Sequence, residues 1–287
     1  SFNFAKQSKK NVAHHYDLSD KLYELFLDPD RQYSCAYFNS PNDSLEQAQI
    51  NKKELIAKKL LLEKNQSVLD IGCGWGGMAA HIYKKSDANV VGVTLSEEQI
   101  AYAEQRKIRE KLDKVEYRLQ DYRNVNEKYD RIVSVGMFEH VGTAHYQEFF
   151  NKVFDLLNDN GVALIHTIGR LNEPGTTDSW IDKYIFPGGY IPALSETVSR
   201  VEKSGLSMTD IQILKFHYAE TLKRWRYNFY ENIDKVKEIY DEKFCRMWDF
   251  YLSSSQASFE ESTLVVFQLQ LSKNKKTVPD KRDYLIT

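Results

Sequence analysis

Apolar residues run along the chain in short blocks separated by stretches of helical period. The blocks are Val68, Leu69 and Ile71; Val90, Val91 and Val93; Val115 to Leu119; Ile132, Val133 and Val135; and Val162 to Ile165. Such blocks, rich in β-branched side chains, predict strands at 67–71, 89–94, 115–119, 130–135 and 161–167. Between them, segments 77–85, 97–111 and 143–157 repeat apolar residues three and four apart, the period of a helix with one buried face. Strands joined by helices of that length lie parallel, so the pattern predicts an α/β chain with a doubly wound, mostly parallel sheet. Further strands are expected near 207–216 and 262–272, making seven. Ligands of such sheets sit beyond the carboxyl ends of the strands, where the glycine turn after Ile71, Thr94, Asp121, Glu139 and His166 all fall.

The flanking regions read differently. Leu18, Leu22, Leu25 and Phe26 have helical spacing that Asp28-Pro29-Asp30 ends, and the aromatic stretch Gln32 to Phe38 shows no usable period. Ser44-Leu-Glu-Gln47 is a capping box opening a helix through about Leu62. Residues 169–193 break the alternation with the apolar run Trp180-Ile-Asp-Lys-Tyr-Ile-Phe-Pro-Gly-Gly-Tyr-Ile-Pro192. Long irregular segments of this kind more often form a lid or pocket wall than a plain connector. An aromatic-rich helical region follows, with Trp225, Tyr227, Phe229, Tyr230, Trp248 and Tyr251.

No Pro-, Gly- or Ser-rich linker divides the 287 residues, which favours one domain. A net charge of −2 supplies no dominant positive field for nucleic acid, although Lys6, Lys9 and Lys10, and Lys273, Lys275 and Lys276, form local basic clusters. Three widely spaced cysteines offer neither a disulfide framework nor a metal site and fit a reducing, cytoplasmic setting. No apolar run reaches the length of a membrane span. The start at Ser1 rather than Met fits a processed product or the loss of an N-terminal piece.

Val68-Leu-Asp-Ile-Gly-Cys-Gly-Trp-Gly-Gly77 carries the chemistry: it leaves a buried strand through glycines that let a ligand approach the main chain. Gly72, Gly74 and Gly77 also satisfy the dinucleotide pattern G-x-G-x-x-G, so the glycines alone do not choose between a nicotinamide dinucleotide and S-adenosylmethionine. A dinucleotide site wants an acid at the end of the second strand, where this chain has Thr94. The turn, followed by Val93-Thr-Leu-Ser96 and Gln99, resembles a class I methyltransferase. Ser96 and Gln99 also fit a plain capping box.

The resemblance narrows along the chain. His15-Tyr-Asp17, Tyr33-Ser-Cys-Ala-Tyr37, Leu69 to Gly76, Asp130 to His140, Ile165-His-Thr-Ile168, Tyr184 to Gly189, His217 to Leu222 and Arg246 to Leu252 occur in the order found in the cyclopropane-fatty-acyl-phospholipid synthase and mycolic acid cyclopropane synthase family. The resemblance implies a cytoplasmic enzyme, transiently at the inner face of the membrane, that transfers a methylene from S-adenosylmethionine to the cis double bond of a phospholipid acyl chain. It further implies a bound bicarbonate that deprotonates the intermediate carbocation. It implies anion contacts from Glu139, His166 and Tyr218 with the backbone N–H groups of Cys35 and Ile168. Cofactor contacts are expected from Tyr33, Ser34, Asp70, Gly72, Gly74, Trp75, Gly76, Thr94, Leu95, Gln99, Gln120, Asp121 and Tyr122.

An acyl channel is expected from Trp180, Tyr184, Ile185, Phe186, Tyr190, Trp225 and Phe229, since aromatic faces solvate a tail and stabilise a cation. The expected organisation is a helical cap at 1–64, a cofactor-binding core at 65–168, an acyl-chain-binding insertion with helices at 169–260, and a final strand and tail at 261–287. No metal and no nucleic acid are expected, and a homodimer is left open. Taken singly, His166 reads as a core histidine, Tyr218 as packing and Asp121 as a solvated acid. Ser255 stands where family members commonly carry a cysteine, so a thiol there is dispensable for chemistry. The alternatives are a fatty-acyl or small-molecule methyltransferase leaving a methyl or methylene branch, and a non-enzymatic lipid-binding protein.

Overall fold

The computed structural model describes residues 18–286, so the His15-Tyr-Asp17 motif and the Lys6, Lys9 and Lys10 cluster lie outside the described residues. Helix α1 (Asp20–Phe26) is capped by Ser19 and buries Leu22, Tyr23 and Phe26. Helix α2 (Leu45–Lys59) starts where the capping box places it, with Ser44 Oγ accepting from the Gln47 N–H. The β-branched blocks form β1 (Ser67–Ile71), β2 (Asn89–Thr94), β3 (Val115–Leu119), β4 (Tyr129–Val135) and β5 (Leu157–Arg170). Helices α3 (Gly77–Ser86), α4 (Glu97–Glu110) and α5 (Tyr146–Leu156) connect them.

Strand β5 begins earlier than its apolar block suggests. Its pairing jumps from Tyr129↔Leu157 to Arg131↔Val162, and the polar run Asn158 to Gly161 is absorbed in that irregularity. The chain continues through α6 (Ser179–Tyr184), α7 (Leu194–Ser204), β6 (Ser207–Leu214), α8 (His217–Glu231), α9 (Ile233–Ile239), α10 (Glu242–Glu261) and β7 (Leu264–Ser272).

Among the described residues the strands form a seven-stranded sheet in the order β3-β2-β1-β4-β5-β7-β6. Strands β1 to β5 run parallel, and β7 is antiparallel to both β5 and β6. The order reverses between β1 and β4, so the glycine turn after β1 and the segment after β4 open on one crevice. Leu69, Ile71, Ile132, Ile165, Phe267 and Leu269 belong to a core with the apolar face of α5.

A second core joins α1 to α8 and α10 through Phe26, Trp225, Phe229, Trp248 and Leu252. It holds the aromatic stretch that sequence periodicity could not place. Gln49 on α2 donates its side-chain amide to the carbonyls of Gln32 (3.2 Å) and Ser34 (2.9 Å). Lys52, one turn later, donates to Gln32 Oε1 at 2.7 Å and Ser34 Oγ at 2.9 Å. Thr221 on α8 accepts from the Ala36 N–H at 3.0 Å. Side chains thus replace the missing ladder partners of residues 32–36, which run over the carboxyl end of the sheet without joining it.

The ring of Phe267 lies over Gly169, where an added Cβ would meet Phe267 Cε2 at 2.0 Å. Gly169→Ala is expected to lose about 1–3 kcal/mol through overpacking, and a second change, Phe267→Leu, should recover part of that loss. Urea unfolding of the single and double variants checks this; an additive double variant would overturn it.

Candidate active site

Two cavities open at the carboxyl end of the sheet. The smaller is lined by Gly72, Gly74, Thr94, Leu95, Gln99, Gln120, Asp121 and Tyr122, with Met137 and Val141 opposite. Gly72 and Gly74 take φ of +80° and +54°, and the side of Gly74 where a Cβ would project has nothing within 4 Å. That empty cradle is the geometry a ligand lying on the main chain requires. Ser96 Oγ accepts from the Gln99 N–H and caps α4, but the Gln99 carbonyl takes the Thr94 hydroxyl at 2.8 Å. The capping box is therefore half made, and Gln99 faces the cavity. Asp121 binds Arg123 with both carboxylate oxygens, at 2.9 Å and 2.6 Å.

The larger cavity, about 520 Å³, lies between β5, β7, α8, α10 and the 171–192 insertion. Trp180, Ile181, Phe186 and Tyr190 from the insertion, Tyr218 and Leu222 from α8, and Tyr251 and Phe259 from α10 give it apolar walls. The insertion is closed on itself. Asp178 caps α6, Asp182 accepts from the Gly188 N–H, and Thr177 donates to the Gly189 carbonyl. It docks on the site through the Tyr190 N–H, which donates to the Glu139 carbonyl at 2.9 Å. Gly136 and His140 line both cavities and form the junction between them.

Charge in this apolar space is scarce and held by the backbone. Glu139 is buried, and its Oε1 accepts the Ile168 N–H at 2.6 Å. Its Oε2 has no partner among the described residues. Burial pushes its carboxyl up to about 7, against the pull of the Ile168 N–H. His166, on β5, accepts from Gln268 Nε2 at its Nδ1, 3.1 Å away, and its buried Nε2 has no partner among the described residues. Burial and the ammonium groups of Lys52 and Lys59 hold the His166 imidazole well below its ordinary pKa, so it is neutral. Burial takes His140 down to about 4. Cys35 lines the larger cavity, its thiol donates to the Ala36 carbonyl at 3.2 Å, and burial pushes its pKa up, which leaves it unsuited as a nucleophile.

The structure brings Glu139, His166, Tyr218, Cys35 and Ile168 to one cavity, with one difference from the expectation: the Ile168 N–H is engaged by Glu139 and orients the carboxylate. Tyr33 and Ser34 line the larger cavity rather than the smaller one. Asp70, Trp75 and Gly76 line neither. Asp70 is buried at the end of β1, where burial pushes its carboxyl up to about 7. Trp75 turns inward to Tyr23 and donates its indole N–H to Asp20 at 3.2 Å. Gly76 starts α3 under Tyr117, whose hydroxyl donates to its carbonyl.

Of the expected channel residues, Trp180, Phe186 and Tyr190 line the cavity. Trp225 and Phe229 do not, because α8 turns that stripe into the core behind Tyr33 and Tyr218. Ile185 is also buried in that core, and Tyr184 points out to solvent. The sequence reading singled out Ser255 but not the wall it belongs to, where Ser254, Ser255 and Ser258 of α10 and Ser262 just past its end present small side chains to the cavity beside Phe250 and Phe259. Their spacing of about four residues on a helix was the available signal. Lys273, Lys275 and Lys276 follow the far end of β7, about 27 Å along the strand from Leu264 at the cavity, so they are not at its mouth.

The mycolic acid cyclopropane synthetase family model matches residues 4–269. The chain belongs to that family. It is 40% identical over 274 residues to the cyclopropane-fatty-acyl-phospholipid synthase of Escherichia coli, covering 94% of this chain and 70% of that one. It is 38% identical over 266 residues to a probable fatty acid methyltransferase of Pseudomonas putida, covering 90% and 68%. The structure of the cyclopropane synthase MmaA2 from Mycobacterium tuberculosis matches with a TM-score of 0.87 at 36% identity, covering 92% of this chain and 98% of that one. Mycolic acid cyclopropane synthase CmaA1, in complex with SAH and CTAB, matches with the same TM-score at 35% identity, covering 92% and 97%. As a member of this family the chain is a methyltransferase with the class I fold and S-adenosylmethionine as co-substrate.

The raised pKa of Glu139 has a thermodynamic consequence. Ionising it is harder in the folded chain than in the unfolded one, so a stabilising contribution present below about pH 4.5 is lost as the pH rises through about 7. Gln keeps an acceptor for the Ile168 N–H and cannot ionise. Glu139→Gln is therefore expected to match the wild-type chain near about pH 4 and to exceed its stability by about 1–3 kcal/mol near about pH 8. Urea midpoints across that range check this, and a difference independent of pH would overturn it.

Proposed function

We propose that this enzyme is a cyclopropane fatty acid synthase that transfers a methylene from S-adenosylmethionine to the cis double bond of a phospholipid acyl chain. The observation that carries the reading is a pair of buried polar atoms without partners among the described residues, Glu139 Oε2 and His166 Nε2, on residues lining one apolar cavity. Gly136 and His140 line both that cavity and the glycine-lined one. Unsatisfied buried groups of this kind are costly, and they fit a small polar ligand that both accepts and donates. Bicarbonate matches, and supplies a base for the proton lost from the transferred carbon as the ring closes.

Glu139 accepts the hydroxyl hydrogen of that ion, and His166 Nε2–H, the Tyr218 hydroxyl and the Cys35 N–H donate to its oxygens. Burial that pushes the Glu139 carboxyl up to about 7 disfavours a bare carboxylate, and the bicarbonate hydroxyl supplies the donor that Oε2 lacks. The adenosine part of the co-substrate fits Gly72, Gly74, Thr94, Leu95, Gln99, Gln120, Asp121 and Tyr122, and Tyr33 and Ser34 face its reactive end from the larger cavity. The residues of the acyl cavity exclude water from an electron-deficient carbon, and the faces of Trp180, Phe186, Tyr251 and Phe259 stabilise it.

The cavity mouth also suits a bilayer. Phe250 lines the cavity yet is 53% exposed, Trp180 packs on it with ring centroids 4.7 Å apart, and exposed Tyr184 lies beyond. Lys183 sets its ammonium 4.8 Å from the Tyr184 ring centroid, Arg246 stands one helical turn before Phe250 on α10, and both charges suit anionic headgroups. No helix among the described residues is long and apolar enough to cross a membrane. The enzyme works from the cytoplasm in this reading, meeting the inner leaflet only while it turns over. A second reading, a methyl or methylene branch on a fatty acyl chain, is favoured by the similarity to the Pseudomonas putida protein.

Incubation with S-adenosylmethionine and mono-unsaturated phospholipid vesicles, with and without bicarbonate, separates the two by mass spectrometry. Cyclopropanation adds one CH2 and abolishes cleavage by ozone, whereas a branch beside a surviving double bond leaves it. Glu139→Gln is expected to bind S-adenosylhomocysteine normally and to lose about 100-fold or more in turnover; wild-type turnover would remove Glu139 from this role. Ser258→Phe is expected to block lipid turnover and leave S-adenosylhomocysteine binding intact, and unchanged turnover on vesicles would show that the acyl chain lies elsewhere.

A further inference from the structure

Register places three polar residues in one row across the sheet. His166 on β5 pairs with Gln268 on β7, and Gln268 pairs with Gln212 on β6. His166 and Gln268 are both buried. Above the row, at the last residue of α2, the buried Lys59 reaches down, and its ammonium donates to Gln268 Oε1 at 2.7 Å and to Gln212 Oε1. Gln270 ties the same helix end to the sheet by donating to the Lys59 carbonyl at 2.7 Å.

The chemistry of these groups admits one arrangement. An ammonium only donates, so it requires the oxygen of the Gln268 amide. The amide nitrogen then faces His166 Nδ1, 3.1 Å away. That nitrogen also only donates, so Nδ1 must be the unprotonated nitrogen and the proton of the neutral ring must sit on Nε2. Nε2 is the atom without a partner among the described residues, on a residue that lines the cavity.

We propose that Lys59 and Gln268 are positioning residues: Lys59 fixes the orientation of the Gln268 amide, which in turn fixes the tautomer of His166 and presents an Nε2–H donor to an anion in the cavity. Neither residue reaches the reacting atoms. The proposal rests on the anion-binding reading of His166 for its consequence, but the tautomer itself is a property of the protein alone. In the usual pairing a catalytic histidine is oriented by an acceptor at Nδ1, which makes Nε2 a base. Here a donor at Nδ1 gives the opposite polarity, suited to holding an anion and unsuited to abstracting a proton.

Long-range ¹⁵N–¹H correlation spectra of histidine-labelled protein, assigned with His166→Gln, read the tautomer directly. The wild-type chain is expected to show the Nε2–H form. Gln268→Glu, which places an acceptor at Nδ1, is expected to move the proton to Nδ1, and Lys59→Met to give a mixture. A wild-type Nδ1–H form, or a tautomer unmoved by Gln268→Glu, overturns the relay. The wild-type spectrum is decisive even if a variant fails to fold.

Turnover with varied bicarbonate supplies the second readout. Gln268→Glu should raise the KM for bicarbonate by about 10-fold or more while S-adenosylhomocysteine binding is unchanged. A tautomer that shifts as expected with an unaltered bicarbonate KM would support the relay and instead overturn the anion role of His166.

Discussion

The hydrogen bond from the Ile168 N–H to Glu139 is the contact around which the rest of the site is arranged. A carboxyl buried in an apolar cavity either finds a fixed donor or turns away to solvent. Here the donor is the backbone of β5, so the sheet sets the position of Glu139. One oxygen is satisfied and the other is left facing the cavity residues. The same strand carries His166 two residues earlier, on the same face. A single strand end thereby sets the separation of the two groups, and the docking of the Tyr190 N–H on the Glu139 carbonyl brings the cavity's outer wall into register with them.

The sheet end supplies position, and the helices supply dryness. α1, α8 and α10 pack aromatic side chains against each other, and the segment 32–36 is threaded between that layer and the sheet by Gln49, Lys52 and Thr221. Burial takes Lys52 down to about 7, so holding this segment costs α2 part of the hydration of a cation. The cost places Tyr33, Ser34 and Cys35 against the larger cavity, close to the junction at Gly136. The stability lost at Glu139 and Lys52 is the usual counterpart of a preorganised polar site.

Much of the architecture was legible in the sequence because strands β1 to β4 are short β-branched runs bounded by polar residues, a pattern that depends on local burial alone. The capping boxes at Ser44 and Ser96 placed two helix starts, and the glycine turn announced its own backbone conformation. Residue directions on α8 were not legible. Trp225 and Phe229 share the aromatic character of channel residues, and only the packing of α1 against α8 turns them into the core. Asp70 and Trp75 sit within a ligand-binding motif yet support it from below, a distinction that spacing cannot express. The α10 wall was hidden for the opposite reason: a cavity is made there by the smallness of Ser254, Ser255 and Ser258, and small polar residues carry no hydrophobic signal. The row joining His166, Gln268 and Gln212 required strand register, since the three residues are far apart along the chain.

The passage between the two cavities has a backbone character of its own. Gly136, with φ of +65°, has no side chain, and the nearest atom to its would-be Cβ is Ser34 Cβ at 3.8 Å. An aperture framed on that side by main chain cannot be shut by rotamer hopping there. Any narrowing of the passage at Gly136 therefore requires the backbone itself, or Ser34 across from it, to move.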